Sequence, residues 1–486
     1  PPRLALRAPR LALRAPPLRP PPPRRFALCP SLCTLAAKIK MSQKHNTQLL
    51  KLLGIGFGIA ATMGGTIGTG ILRKPGPIAE QVGDPVLILL LWLAVGFYAF
   101  LGVLCVIELA VSMPQAGSWY VYARRAFGNY FGFLTGFTSW MGTVSALGFG
   151  AYTFSEFIAL LTHRDDLNSF IAIGIIVFFT SLHLIGTHVG GKAQQFLTYT
   201  NAAGLILFVI LCFTMGHSVD PTQLQATVER TAAPGMLAGI ITALQAIFYT
   251  YDGWHTASYF SEENKDPAKT LPRSMIIGVL SIIAIYLLVN GAILYVVPIE
   301  QLAGTKLAAA TAMGLLFGPE ATQFVTVFLL ISVLGILNSQ SMFAPRVIYS
   351  MGRDGLFIKA TTWVNGKGTP WLALVLTTSL SVLLILSGKE TCGRLSDIAT
   401  FFFVLSYTAG FVSLIRLRTV EPDLPRPYKV PFYPYLPILL TLMSLLFLAG
   451  AVYSDLNSSK YGLIFLIGSY PLYLLVKWIN NKTMVV

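Results

Sequence analysis

Two short segments carry chemistry that needs no reactive side chain. One is Gly64-Gly65-Thr66-Ile67-Gly68-Thr69-Gly70, inside the apolar stretch from about Leu52 to Leu72. The other is Tyr249-Thr250-Tyr251-Asp252-Gly253-Trp254, inside the stretch from about Met236 to Tyr259. Glycine is a poor helix former because it forfeits the most backbone entropy on ordering. At membrane depth, unwound backbone survives only where protein or a water-filled cavity satisfies its polar groups. A break therefore frees amides and carbonyls together, the two poles that a small zwitterion requires. Interrupted spans at equivalent positions of two halves are the sequence pointer to a carrier's substrate site. Glycine also serves close packing between membrane helices. Four glycines in seven residues, opposite a second break, favour a site.

The elements that must position these breaks are membrane spans. Of 486 residues, 54% are hydrophobic and 11% charged, and mean hydropathy is +0.67. So few charges cannot cover the surface of a soluble protein of this length. Apolar runs of about 20 residues or more recur along nearly the whole chain, each long enough to cross a hydrocarbon core of ~30 Å. The expected class is an all-α polytopic membrane protein with twelve transmembrane helices. They lie at approximately 51–72, 85–112, 126–161, 168–187, 193–216, 234–259, 273–297, 319–350, 371–387, 394–418, 433–453 and 461–479. With both termini on the cytoplasmic side, eighteen Lys and Arg fall inside and eight outside, counted after residue 40. That is the asymmetry orientation follows. Breaks in helices 1 and 6 then open the two copies of a five-plus-five inverted repeat, because an odd repeat length inverts the second copy.

The formal charge of +15 is misleading. Residues 1–40 hold seven Arg and two Lys with no acid, so a nucleic-acid partner is not expected. That segment is Pro/Arg/Ala/Leu low complexity with RLALRAP in tandem, read as a disordered extension or upstream read-through without native function. The stretch from Met41 reads as an ordinary cytoplasmic start. The organisation expected is 1–40 extension, 41–50 cytoplasmic N-terminus, 51–418 ten-helix transport core, 419–480 two additional helices and 481–486 cytoplasmic tail.

Cys29, Cys33, Cys105, Cys212 and Cys392 form no loop-borne disulfide pattern. An embedded enzyme would need clustered His, Cys or carboxylates in a water-accessible site. Among six histidines, His183 and His188 are five residues apart and sit on different helix faces, and His255 beside the break suits packing. No catalytic residue, metal site or cofactor is expected.

The chain resembles the amino acid–polyamine–organocation permeases, particularly bacterial relatives of the L-type amino acid transporters. The matching pieces are GGTIGTGI in span one, ELAVSMPQAGSWYVYARRAFG at Glu108–Gly128, FYTYDGW in span six, SEENKDPAKTLPRSM at Ser261–Met275, PRVIYSMGRDGLF closing span eight, and PDLPRPYKVPFYP at Pro422–Pro434. Their order and spacing make the set specific. The resemblance implies the five-plus-five fold and transport of amino acids or close analogues. It places the substrate carboxylate on Thr69 and Gly70, with Gly68 allowing close approach. Amides at a half-helix N-terminus suit an anion. It places the ammonium on carbonyls of Thr66, Tyr249 and Asp252. Ile67 and Thr250 lie in the same breaks and complete the substrate-binding set.

Tyr249 corresponds to an aromatic gate over the substrate, with plain packing as the alternative. Asp252 is an ionisable group at membrane depth, which is usually functional. Capping of the second half of span six is its primary expected role, and direct amine binding the secondary one. Glu108 is expected to pair with basic residues of an inner gate, or to be a solvated interfacial acid. Arg346, Arg353 and Asp354 end span eight, where topology and salt bridges account for them.

Many relatives carry a proton-coupling Lys in span five where Asn201 stands here, and Asn does not titrate. The positions matching the family's sodium-site hydroxyls are Ala344 and Pro345, which offer none. An antiporter or facilitated carrier of neutral L-amino acids is the leading expectation. Alternatives are a proton- or sodium-coupled amino acid or polyamine symporter, or a membrane amino acid sensor. Some animal relatives use a cysteine between spans three and four to bind a glycoprotein. The loop here, Thr162–Asp166, has none, so no disulfide-linked glycoprotein partner is expected. The lipid bilayer is then the chain's main surrounding, and a bacterial plasma (inner) membrane the expected location.

Overall fold

The computed structural model describes residues 47–216, 236–454 and 456–483. The extension 1–40 and the tail beyond Thr483 lie outside the described residues. The chain order is α1 (Ile55–Thr66), α2 (Gly70–Arg73), α3 (Pro75–Val82), α4 (Pro85–Ser112), α5 (Trp119–Phe127), α6 (Asn129–Thr162), α7 (Asn168–Ile185) and α8 (Thr187–Met215). Then come α9 (Met236–Tyr251), a 3₁₀ turn over Thr256–Glu263, α10 (Pro267–Val296), α11 (Ile299–Leu302), α12 (Ala308–Phe317) and α13 (Ala321–Arg353). The last are α14 (Trp371–Leu386), α15 (Lys389–Val420), α16 (Tyr435–Ser454) and α17 (Leu456–Thr483). Among the described residues the only strand-like pairing is a single bridge between Leu53 and Asn264.

Local chemistry sets several boundaries. Asp84 flanks α4 and its carboxylate accepts the Leu87 amide at 2.9 Å, while Pro85 takes the first helical position, where no amide is needed. Asp266-Pro267 opens α10 in the same order. Gly128, at a φ of 90°, separates α5 from α6, so the expected third span is preceded by a distinct amphipathic helix. Helix α8, the fifth span, starts at Thr187, six residues earlier than the apolar pattern indicates.

Ten helices among the described residues are long and apolar enough to cross a membrane. Of the twelve expected spans, the sixth and ninth fall short of that length. They correspond to α9 and α14, each of 16 residues, or ~24 Å of rise. At its C-terminal end α9 stops at the break, where the chain continues as turns and the 3₁₀ segment. Helix α4 packs along α10, α6 along α13 and α15, and α1 between α8 and α10. The core so formed buries Trp92, Trp254, Tyr251 and Tyr286 around the two interruptions.

The closest approach in this core is main chain on main chain. Gly253 has a φ of 102°, and a Cβ there would run into the Gly65 carbonyl. Gly253→Ala therefore combines left-handed strain of about 1–2 kcal/mol with a backbone collision. We expect a clearly lower midpoint in thermal unfolding of the detergent-solubilised protein. Gly291→Ala, where an added Cβ meets nothing within 4 Å, should leave the midpoint unchanged or raised.

Candidate functional site

Span one is interrupted where its glycines predict. Helix α1 stops at Thr66, and Ile67 follows in an extended conformation, its amide donating to the Met63 carbonyl at 2.7 Å. Helix α2 starts at Gly70. Between them the amides of Gly68, Thr69, Gly70 and Ile71 donate to no main-chain acceptor among the described residues. Four adjacent donors thus converge on one turn, a backbone arrangement suited to an anion. The expected half-helix beyond the turn is split: α2 has 4 residues and α3 begins at Pro75. Local amides, rather than a long axial dipole, carry the positive potential here.

Span six is interrupted beside it. The Asp252 amide donates to the Tyr249 carbonyl at 3.3 Å, and the Thr256 amide to the Gly253 carbonyl at 2.9 Å. These are turn contacts, after which the 3₁₀ segment begins. The two breaks touch at Gly65–Gly253 and again at Gly70, where a Cβ would lie 2.8 Å from the Thr250 hydroxyl. Thr66, Ile67, Gly68, Thr69, Gly70, Tyr249, Thr250 and Asp252 are thus gathered along one seam. Thr69, Gly70, Tyr249 and Asp252 keep partial exposure, while Thr66, Ile67, Gly68 and Thr250 are buried.

Two side chains from other helices satisfy the freed carbonyls. The Tyr286 hydroxyl on α10 lies 3.0 Å from both the Thr66 and the Thr250 carbonyls, sharing one proton between the two breaks. Asn201 on α8 donates to the Ile67 carbonyl at 3.3 Å, and its amide oxygen accepts the Ser332 hydroxyl of α13 at 2.7 Å. Asn201 is therefore a fixed, neutral link between the break and helices α8 and α13. No group of three His, Cys, Asp or Glu side chains that could hold a metal is present among the described residues.

Asp252 is placed differently from the capping role expected of it. No second α-helical half follows it, and the residue flanking the 3₁₀ segment is His255. One Asp252 carboxylate oxygen instead accepts the hydroxyl of Tyr407 on α15. Both side chains line a narrow cavity of about 10 Å³ between α4, α9 and α15, walled by Val95, Tyr98, Phe248 and Phe403.

The two ends of the seam differ. On one end the Lys74 ammonium lies 5.6 Å from the Tyr249 ring centre. On the end that carries the start of α1, Arg346 of α13 donates to Glu263 at 2.8 Å, and both are buried. Arg346 also lies over the Phe260 ring at 4.6 Å, and Arg353 pairs with Glu262 at 2.9 Å. The Leu53 amide donates to the Glu263 carbonyl at 3.0 Å and the Lys265 amide to the Leu53 carbonyl at 3.1 Å, tying the segment before α1 into the same cluster. Glu108 stands apart from it. Its carboxylate accepts Arg418 at 2.6 and 2.8 Å and the Val430 amide at 2.6 Å, with Arg426 at 3.4 Å. It pairs with basic residues as expected, but those residues tie α4 to the end of α15 and the segment after it.

Tyr286, Tyr407 and the identity of Glu263 as the partner of Arg346 escaped the sequence reading. Each tyrosine sits in an apolar run where packing is the ordinary role. Tyr286 has Asn290 one turn on, donating to its carbonyl at 2.8 Å, and that polar pair in apolar surroundings was the one available signal.

Residues 57–476 match the family model described as amino acid permease. The chain is 28% identical to the serine/threonine exchanger SteT of Bacillus subtilis (strain 168) over 431 residues, 87% of this chain and 96% of that one. It is 27% identical to the mouse (Mus musculus) b(0,+)-type amino acid transporter 1 over 424 residues, 85% of each chain. It is 25% identical to the human (Homo sapiens) large neutral amino acids transporter small subunit 2 over 448 residues, 89% of this chain and 82% of that one. With a family model spanning most of its length and two broken helices meeting in its core, the chain belongs to the amino acid permease family.

Proposed function

We propose that this protein moves neutral L-amino acids across a membrane by alternating access, as an exchanger or facilitated carrier. One observation carries the reading: two interrupted helices press their main chains together at Gly65–Gly253, leaving four free amides beside a row of carbonyls. The carboxylate of a zwitterion sits on the Gly68–Ile71 amides. Its ammonium sits on the carbonyls of Thr66, Tyr249 and Asp252. Opposite backbone poles then bind both charges, with no ionised side chain required to hold either.

The twelve-helix, five-plus-five description draws support from packing. Helices α4 and α10, α6 and α13, and α7 and α14 pack in pairs. Three of the five counterpart pairs of a two-fold relation between halves thus lie side by side. The excess of Lys and Arg on the side of the termini supports a cytoplasmic location for both ends. On that orientation, Glu263–Arg346 and Glu262–Arg353 form the inner gate and Tyr249 the outer one, and the structure is closed on the cytoplasmic side. Separating a buried pair exposes two charges that must find new partners, so inward opening needs water or substrate to take them up. The bacterial plasma membrane and operation without a disulfide-linked glycoprotein complete the reading.

Asn201 favours exchange over proton coupling. It offers no proton at the position where a titrating side chain would face the Ile67 carbonyl, and its amide is already committed to that carbonyl and to Ser332.

Purified protein in liposomes preloaded with unlabelled L-serine or L-alanine should accumulate the labelled amino acid by counterflow, with pH and sodium gradients making no difference. Uptake that requires either gradient contradicts the exchange mechanism. Tyr249→Ala removes the ring beneath Lys74, a contact of about 1 kcal/mol. We expect uptake to fall about five-fold at unchanged surface expression, and wild-type kinetics would remove the gate role.

A further inference from the structure

We propose that Tyr407 makes this carrier selective for neutral over cationic amino acids by occupying the carboxylate of Asp252. The inference rests on the reading of the two breaks as an amino acid site and specifies which side chains that site admits.

Among the described residues, Asp252 is the one acid that lines the cavity between α4, α9 and α15. A carboxylate at membrane depth needs a partner, and a cationic side chain arriving with the substrate would supply one. That position is taken, because Asp252 accepts the Tyr407 hydroxyl. The phenol is not free to swing aside. Tyr407 is 2% exposed, and its ring lies 5.1 Å from Trp254, 5.1 Å from His255 and 5.5 Å from Trp119. Such packing holds the ring in one orientation.

Space reinforces the effect. The cavity's free volume of about 10 Å³ is on the order of one water. A lysine or arginine side chain has to displace the phenol and also push back Phe403 or Val404 on the same wall. A small neutral substrate makes neither demand, because its side chain carries no cation and does not reach into this cavity. Hydrogen bonds to a charged group are the strong ones, so the phenol's hold on the carboxylate amounts to roughly tenfold to hundredfold discrimination against a competing cation.

The test is the ratio of radiolabelled L-lysine to L-alanine uptake in liposomes, for the wild-type protein, Tyr407→Phe and Tyr407→Ala. Tyr407→Phe keeps the ring and removes the hydroxyl, and we expect the ratio to rise about tenfold. Tyr407→Ala also opens the cavity, and the ratio should rise further. Adding Asp252→Asn to Tyr407→Phe should abolish the gain in lysine uptake, since the tyrosine acts through that acid. A merely structural tyrosine would lower uptake of both substrates and leave the ratio in place. The proposal is overturned by an unchanged ratio in Tyr407→Phe with alanine uptake retained. It is equally overturned by a wild-type protein that takes up lysine as well as alanine, or by a lysine gain that survives Asp252→Asn. If Tyr407→Ala does not reconstitute, the conservative variant decides alone. A wild-type protein that moves neither substrate refutes the carrier reading itself, and this proposal with it.

Discussion

Backbone groups at membrane depth must be satisfied, and in this protein that constraint is met across two chain breaks rather than within helices. The Gly65 carbonyl faces the Cα of Gly253, where no side chain would fit, and the Tyr286 hydroxyl shares its proton between Thr66 and Thr250. Each break is therefore stable only because the other lies against it. The consequence is chemical as well as structural. Main-chain groups that would have been spent inside a helix stay available to a ligand, and they come in both polarities.

The same contact makes the seam a natural place for motion. Around it the packing is rigid: α8 and α13 hold the Ile67 carbonyl through Asn201 and Ser332, and α4 is tied by Glu108 to Arg418 and Arg426. At the seam itself, turns replace helical ladders over Ile67–Thr69 and Asp252–His255. The N-terminal end of α1 is shut by the buried Glu263–Arg346 pair and by backbone bonds between Leu53 and residues 263 and 265. The opposite end relies on the softer contact of Lys74 with Tyr249. Unequal closure at the two ends is what a carrier needs if its site is to face one side at a time.

The features legible in the sequence were those written locally. Glycine content marked the break in span one and apolar length marked most spans, whereas α10 starts at Pro267, six residues before the expected 273. Features set by distant partners were not legible. Asp252 looked like a cap because Asp favours helix N-termini, yet its partner Tyr407 is 155 residues away. Tyr286 looked like core, and its role depends on two carbonyls brought together by folding. Arg346 was expected in a salt bridge, but its partner Glu263, 83 residues away, and the burial of the pair depend on folding. The helix α5 was not anticipated as an element of its own: the third span was expected from about residue 126, and WYVYARRAF lies almost wholly before it.

A substrate-bound structure at a resolution that places the amino acid's polar atoms tests the central claim most directly. The account predicts the carboxylate against the amides of Gly68–Ile71 and the ammonium against carbonyls of Thr66, Tyr249 and Asp252. A carboxylate held by a lysine or arginine side chain, or a ligand bound away from a seam that has re-formed as continuous helix, would contradict it.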